Sequence, residues 1–122
     1  MIDHIGIPVT DMAKSVAFYE LALAPLGYTK LMDFGDAVGF GTDGKPDFWL
    51  GKQPAMYRTH VAFRTKGRGI VRDFHAAAMA AGGTDNGGPG IREHYHPDYY
   101  GAFVLDPDGH NVETCCHEAY LG

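Results

Sequence analysis

The sequence predicts an α+β fold: two paired βαβββ modules forming a curved mixed sheet or half-barrel around a cleft, with the helices outside. Three observations carry this. First, His4-Ile5-Gly6-Ile7 and His60-Val61-Ala62-Phe63 open two halves offset by 56 residues, and the same offset lays Phe18 on Phe74, Ala22 on Ala78, Ala24 on Ala80 and Gly27 on Gly83. Repetition at a fixed offset marks duplicated supersecondary units. Second, each half runs in the same order: a short apolar strand, a helix, a terminating glycine and further strands. Third, 17 Gly and 7 Pro in 122 residues suit short strands broken by frequent turns.

Residues 2–8 alternate loosely and are expected as a strand. Thr10 and Asp11 are helix-cap candidates, and Val16, Tyr19 and Leu23 recur at helical spacing over 12–23. Pro25 and Gly27 end that helix, and strands follow at 28–33, 37–41 and 47–51. Turns at Gly35-Asp36 and Asp43-Gly44 separate them. In the second half, 59–65 is expected as a strand and 69–81 as a helix with Ile70, Phe74, Ala77 or Ala78, and Ala81 on its buried stripe. Residues 84–98 are rich in Gly, Pro and His, which suggests one short strand near Ile91 and a long loop. Strands at 101–105 and 111–117 flank the turn Asp106-Pro107-Asp108-Gly109, where His110 is expected to be exposed. A single domain results, with module 1 at about 1–55 and module 2 at about 57–119.

Composition excludes several classes. A net charge of −5 provides no basic face for nucleic acid. No apolar run approaches the ~18 residues of a membrane span. The N-terminus has no basic segment followed by an apolar stretch, so no signal peptide is expected and the cytoplasm is the expected location. Cys115 and Cys116 are adjacent, would point to opposite faces of a strand, and are expected as free thiols.

Strand alternation puts Glu113, Cys115 and His117 on one face of the last strand. His4 and His60 begin equivalent strands, so module symmetry would set them on equivalent inner faces with Glu113. Two imidazoles and one carboxylate suit an open, catalytic site for Fe, Mn, Ni or Zn.

These stretches resemble the vicinal oxygen chelate superfamily, which includes glyoxalase I, extradiol dioxygenases, fosfomycin-resistance thiol transferases and bleomycin-resistance proteins. The matching segments are Ile2–Ile7, Ala17–Glu20, Thr59–Phe63 and, most specifically, Phe103–Glu113 with its Asp-Pro-Asp-Gly turn. The resemblance spans essentially the whole chain. It implies metal ligands at His4, His60 and Glu113, a small-molecule substrate, and a homodimer, with the site lying either in one chain or across two. Glyoxalase I supplies a further Glu from the first module, where this chain has Trp49. The expected function is therefore a glyoxalase-like, divalent-metal-dependent enzyme of lyase or isomerase type, chelating neighbouring oxygens, with Glu113 also able to move a proton. Two alternatives stay open: an extradiol-type dioxygenase with Fe(II), and a metal-free binding protein that sequesters a small molecule.

Substrate contacts are expected from Trp49 as a stacking wall, from Arg64 on the face of His60, and from His94, His96, Tyr99 and Tyr100 at the cleft mouth. Cys115, two residues from Glu113, is a further candidate.

Overall fold

The computed structural model describes residues 1–54 and 57–120. The boundary expected between the modules runs through residues 55–56, which lie outside the described residues.

Alternation makes the first strand one-sided. In β1 (Ile5–Val9), Ile7 and Val9 are buried and Ile5 packs beside them, while Gly6 takes the other face. Helix α1 (Met12–Ala22) starts at Asp11, whose carboxylate accepts a hydrogen bond from Lys14 N at 3.1 Å. That bond satisfies one of the helix's free N–H groups. Ser15, Phe18, Tyr19 and Ala22 form its buried stripe. A 3-10 turn, Ala24–Leu26, follows and ends at Gly27 in the left-handed region (φ 80°). Three strands complete the module: β2 (Thr29–Asp33), β3 (Ala37–Thr42) and β4 (Lys45–Lys52). Asp43 and Gly44 both have positive φ (53° and 74°), the hairpin geometry that an Asp-Gly pair supports.

The second module repeats the plan with β5 (His60–Arg64), α2 (Arg68–Ala80), β6 (Thr84–Ile91), β7 (Tyr100–Leu105) and β8 (Asn111–Cys116). The sheet orders are β1-β4-β3-β2 and β5-β8-β7-β6. In each, the first strand lies parallel to the last and the others are antiparallel. The two sheets are thus mixed and carry the same topology.

The segment expected to be mostly loop differs: 84–91 is an eight-residue strand. It is an edge strand whose register against β7 shifts twice. An edge needs only one ladder, so bulges absorb Gly87, Gly88 and Pro89 without breaking it.

One apolar core joins the modules, and α1 packs against α2. The Phe48 and Phe63 rings meet edge to face at 5.2 Å, and Tyr28 meets Phe63 at 5.4 Å. Strands β1 and β5 both lie at sheet edges, and among the described residues no ladder connects them.

The Asp106–Gly109 turn supplies the polar joint. Tyr19 of α1 donates to Asp106 Oδ2 at 2.6 Å, and Thr10 N donates to Asp108 Oδ2 at 3.1 Å. His110 is fully buried, which corrects the expected exposure. Its Nε2 donates to Pro8 O at 2.7 Å and its Nδ1 accepts from Thr59 N at 3.0 Å. With both ring nitrogens satisfied, burial carries no unpaired polar atom. No helix is long and apolar enough to cross a membrane.

Candidate functional site

Each sheet turns one face to the core and helices and leaves the other open. In the second sheet Val61, Phe63, Val112 and Cys116 face the core, so His60, Ala62, Arg64, Glu113 and Cys115 share the open face. The parallel register sets Ala62 beside Glu113, which brings His60, one step away on that face, within reach of the carboxylate. His60 Nε2 lies 2.8 Å from Glu113 Oε1. Glu113 is only 2% exposed, while the His60 side chain is half exposed. Tyr99 donates its hydroxyl to the other carboxylate oxygen, Oε2. Both oxygens of a buried carboxyl group are therefore held, as its burial demands. Burial first, and then the Glu113 carboxylate, push the Tyr99 phenol well above its ordinary pKa.

His4 stands apart from this pair. Its Nδ1 lies 2.7 Å from Asp3 Oδ2, and Lys45 Nζ lies 2.9 Å from Asp3 Oδ1. Those two partners, His4 foremost, hold the Asp3 carboxyl below the usual range. His4 lines a groove of about 240 Å³ where the β1 edge faces Val61–Phe63 of β5. Among the described residues, no three His, Cys, Asp or Glu side chains gather around one point that could hold an ion. Within one chain, His60 and Glu113 meet and His4 does not join them.

The remaining candidates divide. Cys115 is buried and its Sγ lies 3.8 Å from His117 Nε2; desolvation raises its thiol pKa. His96 Nε2 lies 2.9 Å from His117 Nδ1, so these rings form one cluster with Tyr99. Arg64 donates to Glu118 at 3.0 Å at the edge of this face. His94 packs on Tyr95 at 4.1 Å. Tyr100 points the other way: it packs on the core under the Arg68 guanidinium, 5.1 Å from its ring. Tyr99, just before β7, turns its ring to the Glu113 side instead.

Trp49 lies on the open face of the first sheet, stacked on Phe34 with ring centres 6.2 Å apart and planes 7° apart. The indole lies over Gly39, where a Cβ would come within 2.9 Å of Cζ2. Beside it opens a cavity of about 600 Å³, bordered by Gly6, Gly51, Ala37 and His4.

Tyr99 was legible as a candidate, but its partner was not. The available signal is Gly101, a glycine inside β7 whose missing side chain leaves room for a close approach. His117 was legible only as sharing the Glu113 face, and Phe34 carried no comparable sign.

No protein-family model matches the sequence, and no curated protein matches it. Solved structures do share its fold. A glyoxalase/bleomycin resistance protein from Albidiferax ferrireducens aligns with a TM-score of 0.82 at 23% identity, covering 93% of this chain and 97% of the other. A glyoxalase/bleomycin resistance protein/dioxygenase family enzyme from Burkholderia phytofirmans aligns at 0.74 with 19% identity, covering 96% and 98%. A glyoxalase/dioxygenase from Nostoc punctiforme aligns at 0.71 with 20% identity, covering 97% and 91%. The chain therefore has the paired βαβββ fold of these proteins over nearly its whole length.

Proposed function

We propose that the protein is a small glyoxalase-like enzyme that binds a divalent metal and acts on a small substrate with two neighbouring oxygens, in a reaction of lyase or isomerase type. The observation that carries this is the His60–Glu113 pair: an imidazole nitrogen and a nearly buried carboxylate oxygen, 2.8 Å apart on an open sheet face. As a nitrogen and an oxygen donor they fit a borderline divalent ion. The third donor is His4 of a second copy. His4 occupies the position in module 1 that His60 occupies in module 2, is exposed, and does not reach the pair in its own chain. A homodimer that lays the module 1 face of one copy on the module 2 face of the other completes the set.

Held by His60, Glu113 and the second copy's His4, such an ion would supply Lewis-acid stabilisation of negative charge on the substrate oxygens. The chain's own groups do the rest. Glu113 Oε1, the oxygen facing His60, would accept and return a proton only while it is released from the ion. The Trp49–Phe34 stack holds the apolar part of the substrate, and Arg64, His94 and His96 border the site.

A second reading, a metal-free binding protein, draws on that same stack and its 600 Å³ cavity, which could hold a flat ligand without chemistry. Elemental analysis after metal reconstitution separates the two. The enzyme reading predicts about one ion per chain, lost in His60→Ala and Glu113→Gln. A folded wild-type protein that takes up no Fe, Mn, Ni or Zn contradicts it and favours the binding protein. Where iron is retained, oxygen uptake with catechols would redirect the reading to a dioxygenase.

A further inference from the structure

We infer that Tyr99 is a positioning residue for Glu113, gripping Oε2 so that Oε1 alone is presented beside His60. Its consequence for a metal rests on the function proposed above, while the grip itself stands on contacts within the chain.

Four features build it. The Tyr99 hydroxyl donates to Glu113 Oε2, while His60 takes Oε1. Gly101 makes the space: a Cβ there would lie 3.2 Å from Tyr99 Cε1 and 3.3 Å from Glu113 Oε2. The Gly101 φ lies outside the left-handed region, so the backbone does not ask for glycine and the close approach does. The ring is also boxed in, with Tyr95 at 4.8 Å, His96 at 5.5 Å and His117 at 5.1 Å. The loop before β7 is pinned too, because Arg92 N donates to Tyr99 O at 2.8 Å and Tyr99 N to His96 O at 3.1 Å. The half-buried ring thus has packing partners on several sides, and its hydroxyl is already committed to Glu113.

The role follows from the chemistry of a carboxylate. With both oxygens free, Glu113 could rotate or give two bonds to one ion. With Oε2 held, it would offer an ion Oε1 alone, leaving more room there for the two oxygens of a substrate. Tyr99 thus tunes the site from outside the ligand set, a different role from the substrate contact expected of it.

Two variants test this, with Tyr95→Phe as the neighbouring control. Tyr99→Phe removes the hydroxyl and keeps the ring; Gly101→Ala pushes a methyl group between ring edge and carboxylate. Proton NMR of the metal-free protein reads the grip, and Co²⁺ titration followed by visible absorption reads its consequence. We expect a downfield hydrogen-bonded phenol proton in wild type and Tyr95→Phe, absent in Tyr99→Phe. Co²⁺ affinity falls roughly 10- to 100-fold in Tyr99→Phe and Gly101→Ala, with a changed cobalt spectrum. Absence of that proton in wild type overturns the proposal, as does a folded Tyr99→Phe protein with wild-type cobalt affinity and spectrum. If wild type shows the proton but binds no Co²⁺, the grip is upheld and the metal-dependent function fails.

Discussion

A carboxylate as enclosed as Glu113 costs stability unless its oxygens are matched. Here a histidine and a tyrosine match them. Glu113→Gln keeps the shape and the capacity to accept from Tyr99, so we expect its unfolding free energy in urea to stay within ~1 kcal/mol of wild type while metal uptake is lost. A drop of several kcal/mol would make Glu113 a structural group first. The thiols give a pH-dependent prediction. Burial is the leading cause that raises both Cys115 and Cys116 above the ordinary thiol value. A thiol with a raised pKa carries less of the reactive thiolate at any pH below that pKa. Iodoacetamide at about pH 8 should therefore label the folded protein at least ~10-fold more slowly than the urea-unfolded chain. Equal rates would mean that these thiols are open to solvent.

Among the elements, those with clean alternation or helical spacing were legible. Ile7 and Val9 in β1 and Phe48 and Leu50 in β4 are buried, as are Tyr19 and Leu23 of the spacing expected over 12–23, while Val16 is only partly buried and Ser15, Phe18 and Ala22 complete the buried face of α1. Strand β6 was not legible, because an edge strand with bulges needs no alternation and tolerates Gly and Pro. The Asp106–Gly109 turn was recognisable as a turn, yet its work was hidden. Its partners Thr10 and Tyr19, and Pro8 as the partner of the adjacent His110, lie about ninety to a hundred residues away in the chain, and no local pattern announces them. That joint yields a prediction. Tyr19→Phe leaves the buried Asp106 carboxylate without a donor at Oδ2, and should cost ~1.5–3 kcal/mol in urea unfolding. A loss below ~0.5 kcal/mol would show that the joint contributes little to holding α1 against the second module.

At the scale of the whole molecule, the repeat anticipated two equivalent modules, and the sheets have identical topology. Equivalence of His4 and His60 in the sequence does not bring them together in space, because that depends on how one module packs on the other. A shared core and the buried joint at His110 set that packing, and the described residues gather no three metal donors in one chain. In the function proposed above, the complete site therefore lies between two copies. The measurement that tests this most directly is metal binding by mixed chains. His4→Ala and Glu113→Gln proteins would be prepared separately, then unfolded and refolded together, and titrated with Co²⁺. Each variant alone should have lost tight binding. The mixture should regain it, because every mixed dimer pairs an intact His4 from one chain with an intact His60 and Glu113 from the other. A mixture that binds no better than its two parents would contradict a site shared between copies.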